Sequence, residues 1–308
     1  MSRYFIGILF VLTILLPQYG QAQFTNISLN VSDVRPEPGQ TVQFSLSGSL
    51  LGNQNRVQWY VNGIEQNEWR GTISPSLTIN NLERRTIEAR IEGQVIARSI
   101  INPVYIDIVV EPQTYIPPHY TGRPLPSSGS NVRLVALVEE AGAHNASQYN
   151  YTWRVDGRTV DAVAGQNTLV ITMPSNSSQV DLTVRRGDII VGEQRFTLPA
   201  VQPTLIFYTV HPLYGLQDRG FQNSYTFNNS TVSLEAAPFY IPTQAVSSLA
   251  ETEIQWRVNG LEISSDADNR LRTTIQRGNV TNGSLLRFNL FNPAAWQQQA
   301  QGTLRFEL

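Results

Sequence analysis

The sequence contains no cysteine and no lysine; its 22 Lys/Arg positions are all arginine. Without cysteine there is no disulfide staple, no thiol nucleophile, no lipid-bearing cysteine and no cysteine metal site. A chain of this composition holds itself by packing alone, which calls for domains of about 100 residues rather than small knotted ones. Without lysine there is no Schiff-base chemistry, no Ser–Lys dyad and no Lys–Asn isopeptide bond. Charge is scarce as well: charged residues make up 15% of the chain and the formal net charge is −2. No basic stripe exists, which argues against nucleic acid as a partner, and no polybasic patch suits a membrane surface. The three histidines (119, 144 and 211) are scattered, with no paired spacing for zinc. A Gly-x-Ser-x-Gly elbow, a phosphate-cradling glycine loop and a dinucleotide fingerprint are all missing. No catalytic residue, cofactor or metal ligand is assigned, and the chain reads as a structural or binding module rather than an enzyme.

Long apolar runs are also rare, with one exception. Arg3 precedes the uninterrupted run from Phe5 to Leu16, and Pro17 and Gly20-Gln21-Ala22 follow. This order is that of a secretory signal peptide cleaved after Ala22. The run is about 12 residues, against the roughly 20 that span hydrocarbon. The expected location is therefore outside the cytoplasm: cell surface, periplasmic or extracellular. Membrane attachment is expected only if the signal peptide stays uncleaved.

What is abundant is a repeated strand. Val57-Gln-Trp59-Tyr-Val61-Asn62-Gly63, Tyr151-Thr-Trp153-Arg-Val155-Asp156-Gly157 and Ile254-Gln-Trp256-Arg-Val258-Asn259-Gly260 share one pattern. The three tryptophans lie about 100 residues apart, the length of one sandwich domain. Apolar residues alternate with polar ones, so each Trp points to one face of a strand. Asn-Gly or Asp-Gly then supplies the positive-φ pair of a tight hairpin turn. Trp59, Trp153 and Trp256 are accordingly expected as structural core residues. Alternating strands flank each copy, and the predicted architecture is all-β: three tandem immunoglobulin-like β-sandwiches after the signal peptide. The predicted boundaries are 1–22, 23–102, 103–201 and 202–308, with breaks at Asn102-Pro103 and near Ala200 to Pro203. Helical periodicity is confined to a turn or two, with Pro293 to Gln301 the best local candidate.

The repeated strand and hairpin resembles the tandem immunoglobulin-like and PKD-like domains of bacterial surface proteins, over nearly all of the mature chain. The chain lacks the aromatic-Gly-Asp-Gly run of PKD domains and the paired cysteines of antibody domains. The stretch from Tyr115 to Ser130 is similar to a segment in exported proteins of candidate-phylum bacteria, which implies export.

That stretch, YIPPHYTGRPLPSSGS, is the most distinctive outside the repeats. Its prolines favour extended backbone, and Tyr115, His119, Tyr120 and Arg123 offer stacking and hydrogen bonding. It is either a candidate binding loop or a proline-rich edge segment crossing between sheets. An aromatic insertion from Pro212 to Phe227 occupies the corresponding place in the third repeat, which favours architecture. Asp266-Ala-Asp268-Asn269 alternates acids as calcium loops do, yet lacks a following bidentate Glu and reads as a solvated turn. The expected role is a non-enzymatic cell-surface or envelope protein: spacer, adhesion or protein-interaction module, with a protein or surface glycan as partner. The alternatives are a carbohydrate-binding accessory module, for which Trp69, Trp296, Tyr115 and Tyr120 are the aromatics to inspect, and a hydrolase with converging acids.

Overall fold

The computed structural model describes residues 27–48, 56–142, 145–160, 165–243, 252–293 and 295–308. The expected signal peptide and His144 fall outside them, as does the side chain of Trp296. The chain divides into two compact units: one of Met1–Val34, Gln40–Thr78 and Arg84–Ile101, the other of Arg35–Gly39, Ile79–Glu83 and Asn102–Leu308.

The first unit contains β1 (Ser28–Val31), β2 (Thr41–Ser47), β3 (Val57–Val61), β4 (Ile64–Glu65), β5 (Ser76–Thr78), β6 (Arg85–Ile91) and β7 (Gln94–Ile101). They form two sheets ordered β1-β2-β5 and β4-β3-β6-β7. Period-two alternation decides which side chains enter: Val42, Phe44 and Leu46 of β2 are buried while Thr41 and Gln43 face out. Trp59 is buried against Phe44 at 6.3 Å between ring centroids, and its Nε1–H donates to the Thr72 carbonyl at 2.7 Å.

The second unit holds two sheet pairs. The first consists of β8 (Val104–Pro112), β9 (Thr114–Tyr115), β10 (Asn131–Glu140), β11 (Asn150–Val155), β12 (Arg158–Val160), β13 (Thr168–Thr172), β14 (Ser178–Arg186) and β15 (Ile189–Leu198). Its sheets run β13-β10-β8 and β12-β11-β14-β15, the same order as in the first unit. The other consists of β16 (Thr204–His211), β17 (Gly215–Phe221), β18 (Ser224–Thr226), β19 (Thr231–Phe239), β20 (Ile241–Pro242), β21 (Glu253–Val258), β22 (Leu261–Ile263), β23 (Arg272–Gln276), β24 (Leu285–Asn292) and β25 (Ala295–Glu307). Here the sheets are β17-β16-β19-β23 and β18-β25-β24-β21-β22. In all three pairs the chain crosses back and forth between two sheets, with hairpin partners staying in one sheet, as in immunoglobulin-like sandwiches. Trp153 and Trp256 are each buried in a separate apolar cluster, with Leu134, Leu182 and Tyr151 around the former and Phe207, Phe288 and Leu234 around the latter.

The repeated Asn/Asp-Gly does more than turn the chain. Asn62, Asp156 and Asn259 all sit at φ near +50°, the left-handed region that Asn and Asp tolerate best. Each Oδ1 also accepts from a backbone N–H of the neighbouring strand: Thr86 at 2.8 Å, Gln179 at 2.8 Å and Leu285 at 2.9 Å. The side chain thus ties the hairpin to the strand beside the tryptophan, three times over.

The local helix candidate from Pro293 to Gln301 is strand from Ala295 onward. This run belongs to β25, paired antiparallel with β24 from Leu285↔Arg305 to Phe291↔Gln299. Gln298 and Ala300 are buried while Gln299 and Gln301 are exposed. The period is two, and pairing with β24 overrides the helix propensity of Ala and Gln.

Candidate functional site

The segment after β8 is where the sequence concentrated its aromatic and proline side chains, and its backbone bonds show where it goes. Thr114 and Tyr115 (β9) pair antiparallel with Pro242 and Ile241 (β20) of the following sandwich. The Tyr240 N–H donates to the Tyr115 carbonyl at 2.8 Å, while the Thr243 N–H and Oγ1 donate to the Gln113 carbonyl at 3.1 and 2.7 Å. Tyr115 packs against the core cluster of the next sandwich, and burial, with a smaller contribution from the Glu235 charge, raises the pKa of its hydroxyl.

The rings beyond Tyr115 continue the contact. His119 meets Tyr208 edge-on at 4.7 Å. Tyr120 meets Phe239 at 5.2 Å and Tyr240 at 6.5 Å, both edge-on. Its hydroxyl lies 3.1 Å from that of Tyr240. That bond, followed by burial, pushes the Tyr240 pKa up to about 12, so Tyr240 keeps its proton at ordinary pH. Tyr240 sits at φ +62°, an uncommon position for a bulky side chain that costs about 1–2 kcal/mol. The segment returns to its own sandwich through the Val201 N–H, which donates to the Pro126 carbonyl at 2.8 Å, and a Ser127–Ser130 turn closed by the Ser130 hydroxyl.

The structure therefore brings Tyr115, His119 and Tyr120 onto the neighbouring sandwich, where they fasten two domains of one chain together. Arg123 is exposed and takes no part in this clasp. The edge-crossing alternative has this segment shield an edge from mispairing; instead its own residues pair with an edge strand of the next sandwich. Residues Phe239 to Thr243 were missed from sequence, although a signal existed: Tyr240-Ile241-Pro242 repeats Tyr115-Ile116-Pro117. The corresponding insertion of the third sandwich folds back on itself instead. It forms the β16–β17 hairpin and then β18, which pairs in parallel with β25.

Among the described residues of the second unit, the tip of that hairpin is the most exposed apolar point. Leu213 is 83% and Tyr214 79% exposed. His211 Nδ1 accepts from the Leu213 and Tyr214 N–H groups at 3.1 and 3.3 Å, and its ring stacks on Tyr214 at 4.7 Å. His211 also lines a groove of about 720 Å³ with Thr209, Gln217, Tyr225, Asp266 and Arg272. Asp268 is exposed, and the Asp266 N–H donates to the Arg272 carbonyl at 2.8 Å in a closed turn. Among the described residues no group of three or more His, Cys, Asp or Glu side chains is placed to hold a metal ion. Glu139 and Glu140 diverge, and Glu140 accepts from the Tyr149 hydroxyl at 2.9 Å and from Arg186 at 2.6 Å. Trp69 is half-buried beside Phe44 at 6.3 Å. Among the described residues no helix is long and apolar enough to cross a membrane.

No protein-family model matches the chain, and no curated protein sequence does. Solved structures align with it as multi-domain β-sandwich arrays. One is the three N-terminal domains of the bacteriophage RB49 Highly Immunogenic Outer Capsid protein, 10% identical over 92% of this chain and 98% of that one, TM-score 0.24. Another is Sidekick-1 immunoglobulin domains 1–4, 14% identical over 92% of this chain and 74% of that one, TM-score 0.22. A C-terminal fragment of intimin, solved with the intimin-binding domain of its translocated receptor, is 14% identical over 58% of this chain and 65% of that one, TM-score 0.34. The chain is similar to these in fold, and no function passes across at such values.

Proposed function

We propose that this chain is an exported, non-catalytic cell-surface or envelope protein whose immunoglobulin-like sandwiches act as a spacer and as a protein-interaction module. The observation that carries this reading is the clasp. The side chains most suggestive of ligand chemistry, Tyr115, His119 and Tyr120, are engaged in fixing one sandwich to the next. Domains joined by a bare linker are expected to move freely. Here strand pairing and an aromatic cluster hold two of them as one compact unit, as a spacer requires. Export is supported by the charged start, apolar run and small-residue site before Gln23. The test is surface labelling and cross-linking on intact cells that make the protein. The expected result is an accessible chain attached to a protein partner; a chain retained in the cytoplasm overturns the proposal.

A carbohydrate-binding role is the second reading, favoured by Tyr214, an exposed ring stacked on a groove-lining His211. Sugars stack on such rings while their hydroxyls bond to polar side chains around them. A glycan retained by the purified protein and lost in Tyr214→Ala would establish it.

A further inference from the structure

The three sandwiches supply their own controls on the outer face of the tryptophan-bearing sheet. In each, the residue after the tryptophan faces a residue of the next strand, which faces one of the last strand. The rows are Tyr60–Glu88–Arg98, Arg154–Asp181–Arg195 and Arg257–Arg287–Thr303. In the first row a central acid is satisfied from two sides. Glu88, its side chain only 5% exposed, accepts from Arg90 Nε at 3.0 Å and Arg98 Nε at 2.8 Å, and the Arg90 guanidinium lies 4.1 Å over the Tyr60 ring. In the second row Asp181 pairs with Arg195 and faces Arg154 on its other side.

The third row has arginine, not an acid, at its central position. Arg287 stands where Glu88 and Asp181 stand, directly across the sheet from Arg257. Like charges in that relation destabilise a sheet. Arg257 Nε is buried without an acceptor, a donor that folding desolvates and leaves unmade. Glu262 faces Arg257 from β22 but is exposed and forms no ion pair with it. Arg305 lies further along the same face, opposite Leu285. The next row is Gln255–Asn289–Gln301, uncharged amides able to donate and accept.

We propose that this face of the third sandwich binds a carboxylate presented by an acidic peptide segment of a protein partner, which takes the place that Glu88 and Asp181 fill internally elsewhere. Two adjacent guanidinium groups offer forked donors to one carboxylate, and its charge removes the Arg257–Arg287 repulsion. A protein carboxylate is the template because a protein side chain fills this position in both other copies. The amide row beside the arginines suits an extended backbone running along the face. The proposal rests on the interaction reading above and names its surface.

The test is fluorescence anisotropy of labelled oligoglutamate titrated with the full chain at low and physiological salt. The expected result is saturable, salt-sensitive binding that weakens about tenfold in Arg257→Gln and in Arg287→Glu. Arg287→Glu restores the acid of the other copies, so its Tm should rise. Arg154→Gln, in the row where Asp181 already supplies the central acid, should leave the affinity unchanged. Absent binding, unchanged affinity in both third-sandwich variants, or binding of oligogalacturonate in place of oligoglutamate overturns the proposal. If oligoglutamate fails while cross-linking still captures a surface protein, this site falls and the general function stands.

Discussion

Tyr120→Ala separates the clasp from the domains it joins, because the ring contacts described for Tyr120 are with Phe239 and Tyr240 of the next sandwich. The residue is 38% exposed, so roughly 100 Å² of the side chain is removed from water, worth about 2 kcal/mol at ~25 cal/mol/Å² once the compactness of the open state is allowed for. The hydroxyl bond to Tyr240 adds about 0.5–1 kcal/mol. Losing about 2.5–3 kcal/mol raises the open fraction of the domain pair roughly 70- to 160-fold. The assay is NMR residual dipolar couplings on the second unit. Wild-type protein should fit one alignment tensor for both sandwiches, and the variant should need two. The Trp153 cluster does not include Tyr120, so amide exchange in that core should not change. Gly122→Ala should act in the same direction, since an added Cβ would overlap the Tyr120 ring. A single shared tensor in Tyr120→Ala, or a loss of core protection without decoupling, would refute the reasoning.

Three further outcomes follow from local geometry. Trp59 and Trp256 donate to the carbonyls of Thr72 and Arg270 at 2.7 and 3.1 Å, whereas Trp153 Nε1 is buried without an acceptor. Calorimetry should therefore find Trp153→Phe about 1–2 kcal/mol less costly than Trp256→Phe, which orphans a carbonyl; equal costs contradict this. Hydrogen bonding from Arg90, joined by Arg98 and opposed by burial, holds the Glu88 carboxyl below its ordinary value of 4.5. A depressed acid stabilises above that value and ceases to as pH falls through the lowered one, so Tm of the first unit should drop on acidification below about pH 4.5, and Glu88→Gln should flatten that part of the curve. For Tyr240 the sign reverses: with its pKa raised from 10.0 to about 12, its contribution to the clasp is complete below pH 10 and is lost as pH rises through about 12. The domain coupling read by NMR should weaken over that window and survive acidification to neutrality.

How much of this was legible from sequence depends on the range of the interaction. The three tryptophans declare themselves because a strand has a period of two and a large apolar ring on its inner face fills the centre of a sandwich core; both are local rules. The Asn-Gly and Asp-Gly turns follow equally from backbone sterics, although the side-chain tie from Asn62, Asp156 and Asn259 to the adjacent strand needed the register to be seen. The run from Ala295 to Gln301 misled because Ala and Gln favour helix locally, while strand pairing with β24 is a long-range term that a local pattern omits.

The clasp lies at the far end of that scale. Tyr115 to Tyr120 and Phe239 to Tyr240 are separated by more than a hundred positions, and each half alone is only an aromatic loop. What connects them physically is that a sheet edge and a row of rings need a partner of the same kind. The duplicated Tyr-Ile-Pro supplies one on either side of the domain boundary. In a chain without cysteine, that contact is also the means by which one domain can be locked to the next without a covalent bond. The arginine row makes the complementary point. Tryptophan recurs in all three copies where it fills a core, whereas the facing outer position holds Glu88, Asp181 and then Arg287. Packing fixes the first position in every domain and leaves the second open to a change of charge. A substitution that reverses a charge and leaves a buried donor unpaired, at a position where two sister domains hold an acid, is where a partner outside the chain has most to contribute.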